Sequence, residues 1–289
     1  MRGGAAACGL VIGLLVPASP VTVPVTRALE WTPPKSYQLG QAVVIPAQPN
    51  LFQVRLSGRL MSYLDKQKVW LGIAPQGQVA LHFWWQTRSG AELSEAVVPT
   101  ESLKLEEAGA LRLPATVWKK VNDPKTEARA HDRKILREIM NDFSGELQTS
   151  CWQTPLKSRI TSSFGSPRRL PDGYSYFHGG EDRRAAVGTL VRAAGAGRVA
   201  FAGEMVVPGN NVVINHGGGW FTRYLHFSKT LIQTGANVKA GQEIGLSGAS
   251  GRVEAPHLHW EIVWKGIAAA PEHFLPEWAR LCDPRLASR

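Results

Sequence analysis

His257-Leu258-His259-Trp260-Glu261-Ile262-Val263-Trp264 closes a glycine-rich region of the chain, and its reading decides the fold. Taken as a strand, the apolar run 258–264 alternates faces, so His257 and His259 point to the same side. One of them can hold a metal while its neighbour touches the substrate. Upstream, residues 191–202, 211–215, 220–225 and 243–246 read as further short strands, with turn residues between them. Gly195, Gly197 and Ala200 imitate a dinucleotide-binding loop, but no phosphate-capping helix follows, so a turn and a tight strand are expected. No long helical pattern occurs between residues 153 and 270, and this part is expected to be mostly antiparallel β.

The earlier part of the chain also has strand character, at residues 42–45, 51–56, 68–73 and 78–85. In the last of these, Val79, Leu81, Phe83 and Trp85 alternate with Gln78, Ala80, His82 and Trp84, which is the period of a half-buried strand. His82 falls opposite the apolar face, as an ordinary strand histidine. A helix is predicted from Asp123-Pro124, with Ala128, Ile135, Leu136, Ile139, Met140 and Phe143 forming one stripe and Arg129, Arg133 and Arg137 on the solvated side. The expected organisation is mainly β. A signal peptide at 1–28 precedes an N-terminal β-rich domain at 29–122 and one connecting helix and linker at 123–150. A C-terminal antiparallel β-sheet domain with a metal-site groove follows at 151–289.

A chain of 289 residues with 44% hydrophobic composition and ten tryptophans can bury a sizeable core. Its formal net charge of +10 favours polyanions such as nucleic acid, anionic lipid or an anionic wall polymer. Lys and Arg are scattered rather than clustered on one helix, which argues against nucleic-acid binding. Arg2, the apolar stretch 5–16, and then Ala18 and Ser19 follow the order of a secretory signal, with cleavage after Ala18 or Ala28. The stretch is short for a bilayer span, so the mature chain is expected to be exported, periplasmic or extracellular, without membrane insertion. Cys151 and Cys282 flank the last third; in an oxidising compartment they either pair or remain buried thiols.

His178 and Asp182, spaced as HxxxD, join Tyr224-Leu225-His226 and the His257/His259 pair as the polar set of this region. Two histidines and a carboxylate leave a zinc ion one open position for water, and the remaining histidines are free for proton transfer. Gly179-Gly180 inside HxxxD predicts a bend, unlike the helical HExxH arrangement. Spacing alone leaves open which histidine of the pair is a ligand.

In the order and punctuation of these motifs, residues 177–262 resemble the lysostaphin-like, LytM-type zinc metallopeptidases (the duplicated hybrid motif peptidases) that cut bacterial peptidoglycan. The matching stretches include His178-Gly179-Gly180-Glu181-Asp182, Gly209-Asn210-Asn211-Val212, Tyr224-Leu225-His226, Ser247-Gly248 and Pro256-His257-Leu258-His259-Trp260. The resemblance implies one Zn2+ per chain held by His178, Asp182 and His259, with His226 and His257 as non-ligand catalytic histidines. It implies a zinc metalloendopeptidase whose partner is peptidoglycan, cut in a stem peptide or cross-bridge; the chain is expected to be monomeric. A non-catalytic wall-binding regulator is the alternative. His216 matches a position outside this set and reads as structural. Arg183 and Arg184 depart from the pattern, standing where small or apolar residues are usual; they either select an anionic part of a peptide or face solvent.

Overall fold

Leu81, Phe83 and Trp85 are buried while Ala80, His82 and Trp84 are not, as the period-two pattern requires. The computed structural model describes residues 31, 34–48, 51–75, 80–87, 93–100, 109–122 and 127–283; the expected signal peptide and the start of the expected connecting helix lie outside the described residues. Strands β1 (Ala42–Pro46), β2 (Leu51–Leu56), β3 (Arg59–Leu60), β4 (Ser62–Leu64), β5 (Val69–Ile73), β6 (Ala80–Thr87) and β7 (Leu93–Pro99) form two antiparallel sheets, ordered β1-β5-β4 and β3-β2-β6-β7. Their inward faces meet in a core that contains Ile45, Val54, Leu56, Ile73 and Phe83.

A short strand β8 (Gly109–Ala110) and two helices, α1 (Ala115–Val121) and α2 (Ala128–Met140), lead to the second part. α2 lies within the predicted helix but is shorter, and α1 leaves no periodic signature in the sequence because its two turns carry too few apolar repeats. α2 buries no residue completely. Its Leu136, Ile139 and Met140 rest on Val213, Phe221 and Val263, so one stripe packs and the rest is solvated.

The second part is built on strands β9 (Ile160–Ser162), β10 (Pro167–Arg169), β11 (Ser175–Phe177), β12 (Glu181–Arg184), β13 (Leu190–Arg192), β14 (Gly197–Met205), β15 (Gly209–Gly217), β16 (Trp220–Thr230), β17 (Asn237–Val238), β18 (Glu243–Ser247), β19 (His257–Trp264) and β20 (Ile267–Ala269). Ten of these join one sheet along the order β17-β14-β15-β16-β19-β12-β9, with β13, β18 and β20 at its margins. The single strand expected at 191–202 is broken. β13 pairs with β18, whereas β14 turns away to pair with β15 and β17. The break falls at Gly195, where a Cβ would meet the Trp152 indole at 2.5 Å, so the chain must bend closely over that ring.

Helix α3 (Pro271–Cys282), which the sequence pattern did not predict, starts on a proline at N1 and buries Phe274 and Trp278, one turn apart. Its last residue, Cys282, is disulfide-bonded to Cys151. The two parts share one continuous apolar cluster that runs from Ile45 and Phe83 to Trp220, Trp260 and Trp264. Ser62 of β4 joins them further, its Oγ accepting hydrogen bonds from Trp220 Nε1 (2.9 Å) and Trp264 Nε1 (3.2 Å). No helix among the described residues is long and apolar enough to cross a membrane.

Candidate metal centre

Alternation along β19 sorts its residues into two sets. Leu258, Trp260, Ile262 and Trp264 enter the core, and His257, His259 and Glu261 line a cavity on the other face. β12 runs antiparallel beside it, with Asp182 opposite His259 and Arg184 opposite His257. The HGGED stretch reaches this register through a bend at Gly179-Gly180, as its glycines predicted. Gly180 is required there, since a Cβ would run into the Trp260 carbonyl.

His178, Asp182 and His259 therefore converge, with one ligand atom from each lying within 4.8 Å of the others. His178 Nδ1 is 2.9 Å from the Ser163 carbonyl, which can only accept, so Nδ1 carries the hydrogen and Nε2 is left as a lone pair. His259 Nε2 is 2.9 Å from Glu261 Oε1. Burial raises the Glu261 carboxyl, but the Arg223 charge and the hydrogen bond to His259 outweigh it and bring the group to about 2, so Glu261 is an acceptor. The lone pair of His259 is thereby turned to Nδ1. It lies 2.8 Å from His178 Nε2 and 2.9 Å from Asp182 Oδ1, which in turn is 3.1 Å from His178 Nε2.

Three acceptors turned on one another can hold a cation between them, and this donor set suits zinc with one position open. Ionisation supports the same conclusion. Burial disfavours charge on His259, yet its contacts with Asp182 and Glu261 raise it to about 9, so positive charge is favoured at this position. Burial would raise Asp182, but the close imidazoles of His178, His257 and His259 outweigh it and hold the carboxyl far below the carboxylate range. Its second oxygen, Oδ2, accepts from Arg168 Nη2 at 2.5 Å.

His226 and His257 stand beside this cluster, their ring centres 5.0 Å apart. A bulge puts His226 there. Asn210 pairs with Phe227 and Val212 with Tyr224, so Leu225 and His226 together oppose the single residue Asn211. His226 takes φ +67°, a left-handed conformation rare for a side-chain-bearing residue, and is pinned by its N–H to the Pro208 carbonyl and its Nδ1 to the Ser250 carbonyl, both at 2.9 Å. His257 Nδ1 is 2.8 Å from the Ala255 carbonyl, and its Nε2 is 3.4 Å from Asp182 Oδ1. Each of the two thus spends Nδ1 on a backbone carbonyl and presents Nε2 to the cavity. Burial, reinforced by His257 and His259, holds His226 well below the ordinary histidine value, in its neutral form.

The cavity has a volume of about 790 Å3 and is walled on its far side by Leu111, Leu113 and the Arg129/Asp132 face of α2. β8 pairs in parallel with β10, and the Leu111 N–H donates to the Arg169 carbonyl at 2.9 Å, so the segment ahead of the helices forms part of the wall. The two arginines singled out in the sequence separate. Arg183 turns from the cavity to Glu181 (2.5 Å) and to the Leu156 and Ser158 carbonyls (3.3 and 2.8 Å), whereas Arg184 lines it. His216 lies apart from the cluster, buried, with Nδ1 on the Ala196 carbonyl (2.7 Å) and Nε2 by Thr222 Oγ1 (2.8 Å). Sequence reasoning missed Glu261 and Arg168. The first was accessible, because residues 257, 259 and 261 share parity on one strand; the second carries no motif signal.

Residues 176–271 match Peptidase family M23. Among curated relatives, peptidoglycan DD-endopeptidase ShyA of Vibrio cholerae is 44% identical over 130 residues, 43% of this chain and 30% of the relative. DD-carboxypeptidase/endopeptidase Mpg of Neisseria meningitidis is 41% identical over 115 residues, 39% of this chain and 26% of that protein. The chain thus spans less than a third of the length of these relatives. A crystal structure of a putative peptidase M23 from Pseudomonas aeruginosa shares the fold, with a TM-score of 0.61 at 20% identity over 82% of this chain and 94% of that one.

Proposed function

We propose that this chain, which carries a Peptidase M23 domain, is an exported zinc-dependent endopeptidase that hydrolyses a peptide bond of peptidoglycan, in a stem peptide or a cross-bridge. The observation that carries this is the convergence of His178 Nε2, Asp182 Oδ1 and His259 Nδ1, with His226 and His257 alongside, within the stretch that matches the family. Relatives named as peptidoglycan DD-endopeptidases support the substrate, and a net charge of +10 suits an anionic wall polymer.

Zinc held by His178, Asp182 and His259 would supply Lewis acidity toward the scissile carbonyl and would lower the pKa of bound water toward about 7. The chain supplies the rest. Carbonyls of Ser250 and Ala255 fix the tautomers of His226 and His257, so that each offers Nε2 to the reacting atoms. Between them they take the proton of the attacking water and return a hydrogen to the developing oxyanion or the departing amine, work worth about 10²–10⁴ in rate. Glu261 keeps the His259 ring oriented, and Arg168 and Ser163 do the same for Asp182 and His178.

Metal content and turnover measured on the same preparations test these roles. His259→Ala is expected to lose both zinc and activity, whereas His226→Ala and His257→Ala keep one zinc per chain and lose turnover. An empty metal site in His257→Ala would overturn the division of the pair.

A further inference from the structure

We infer that Arg184 is a specificity-determining residue that binds a carboxylate of the substrate peptide, about one or two residues from the scissile bond. The inference rests on the peptidase function proposed above. Arg184 is two residues beyond the ligand Asp182 on β12, so both side chains share the cavity face. It is also the direct cross-strand partner of His257, placing it beside a proposed catalytic histidine. An extended peptide advances about 3.3–3.6 Å per residue, so a group alongside Arg184 lies one or two residues from the bond held at the metal.

The charge of Arg184 is unspent. Among the described residues it makes no side-chain hydrogen bond or ion pair, although its backbone N–H is satisfied by the Arg159 carbonyl at 3.1 Å. Of the other guanidinium groups lining the cavity, Arg168 is committed to Asp182, Arg223 to Glu261, Arg252 to Tyr176 and Arg129 to Asn122. Arg133 has no such partner among the described residues, but it is carried by α2 and not by the strands that hold the histidines. The protein's own carboxylates there are committed as well. Asp182 and Glu261 serve the metal cluster, Glu254 accepts from the Arg112 N–H, and Asp132 accepts from the Val206 N–H at 2.7 Å. Arg183, next in sequence, is taken up by Glu181 and two carbonyls and plays no part. A planar, permanently charged fork left open beside the reaction centre matches a carboxylate supplied from outside.

The test uses cross-linked muropeptides in two forms: with their free carboxylates, and after carbodiimide amidation of those carboxylates. Wild-type chain is expected to prefer the free-acid form, and the ratio of kcat/KM values is expected to fall about tenfold in Arg184→Gln and to be partly restored in Arg184→Lys, with zinc content unchanged. A ratio that stays the same in Arg184→Gln overturns the carboxylate contact while leaving the peptidase function standing. Failure of the zinc-loaded wild type to cleave either form overturns the peptidase function, and the contact with it.

Discussion

His259 owes its role to what sits on both of its nitrogens. Nδ1 faces His178 and Asp182, and Nε2 is held by Glu261, whose other oxygen is 2.6 Å from Arg223 Nη1. Replacing the carboxylate by an amide leaves one oxygen for two donors and removes the negative charge, so either His259 Nε2 or Arg223 loses its acceptor. Glu261→Gln is therefore expected to weaken zinc binding by about 10–100-fold in a competition titration with a chelator, with the fold retained. At this scale the sequence was informative wherever parity applies: His257 and His259 share a face because strand residues alternate. Parity is silent about Arg168, which reaches Asp182 from β10, a strand of a different sheet.

Strands, more than helices, were legible in the sequence, because alternation and turn residues mark them locally. Residues 51–56 form β2 as expected, and the HLH strand gains only His257 at its start. The break at Gly195, the bulge at His226 and the helix α3 depend on what lies across from them: the Trp152 ring, the neighbouring strand, and the core that takes Phe274 and Trp278. Buried chemistry between β14, β15 and β16 shows the same dependence. His216 is held by Ala196 and Thr222, and Thr222 Oγ1 lies 2.9 Å from Tyr224 Oη. Burial lowers His216 to about 4, partly opposed by its bond to Ala196, against 6.5 in the unfolded chain. The folded chain thus binds fewer protons between these values. The stability contribution is complete above pH 6.5 and is lost as pH falls toward 4, by roughly 3 kcal/mol in all. Urea midpoints measured from pH 7 to pH 4 should fall less steeply for His216→Gln than for the wild type; equal slopes would remove His216 as the source.

On the scale of the whole molecule, the N-terminal sheets are part of the same packed body as the sheet that carries the candidate metal site. Gly72 of β5 shows how closely they meet, since a Cβ there would stand 3.0 Å from the Trp264 ring. The disulfide between Cys151 and Cys282 closes a segment with a sequence separation of 131 that contains the candidate metal site. Both cysteines were visible as flanking residues, but whether they pair depends on their juxtaposition in space. Cys151→Ser with Cys282→Ser is expected to cost roughly 2–4 kcal/mol, read as a lower Tm, while the zinc content of the folded fraction stays the same.

The function as a whole is tested by one measurement: release of peptide fragments from purified sacculi by the zinc-loaded chain, with a chelator and with zinc restored. The expected result is loss of cross-linked muropeptides in the presence of zinc, arrest on chelation, and recovery when zinc is added back. Intact cross-links after incubation with a chain shown to hold one zinc, or cleavage that persists through chelation, would contradict it.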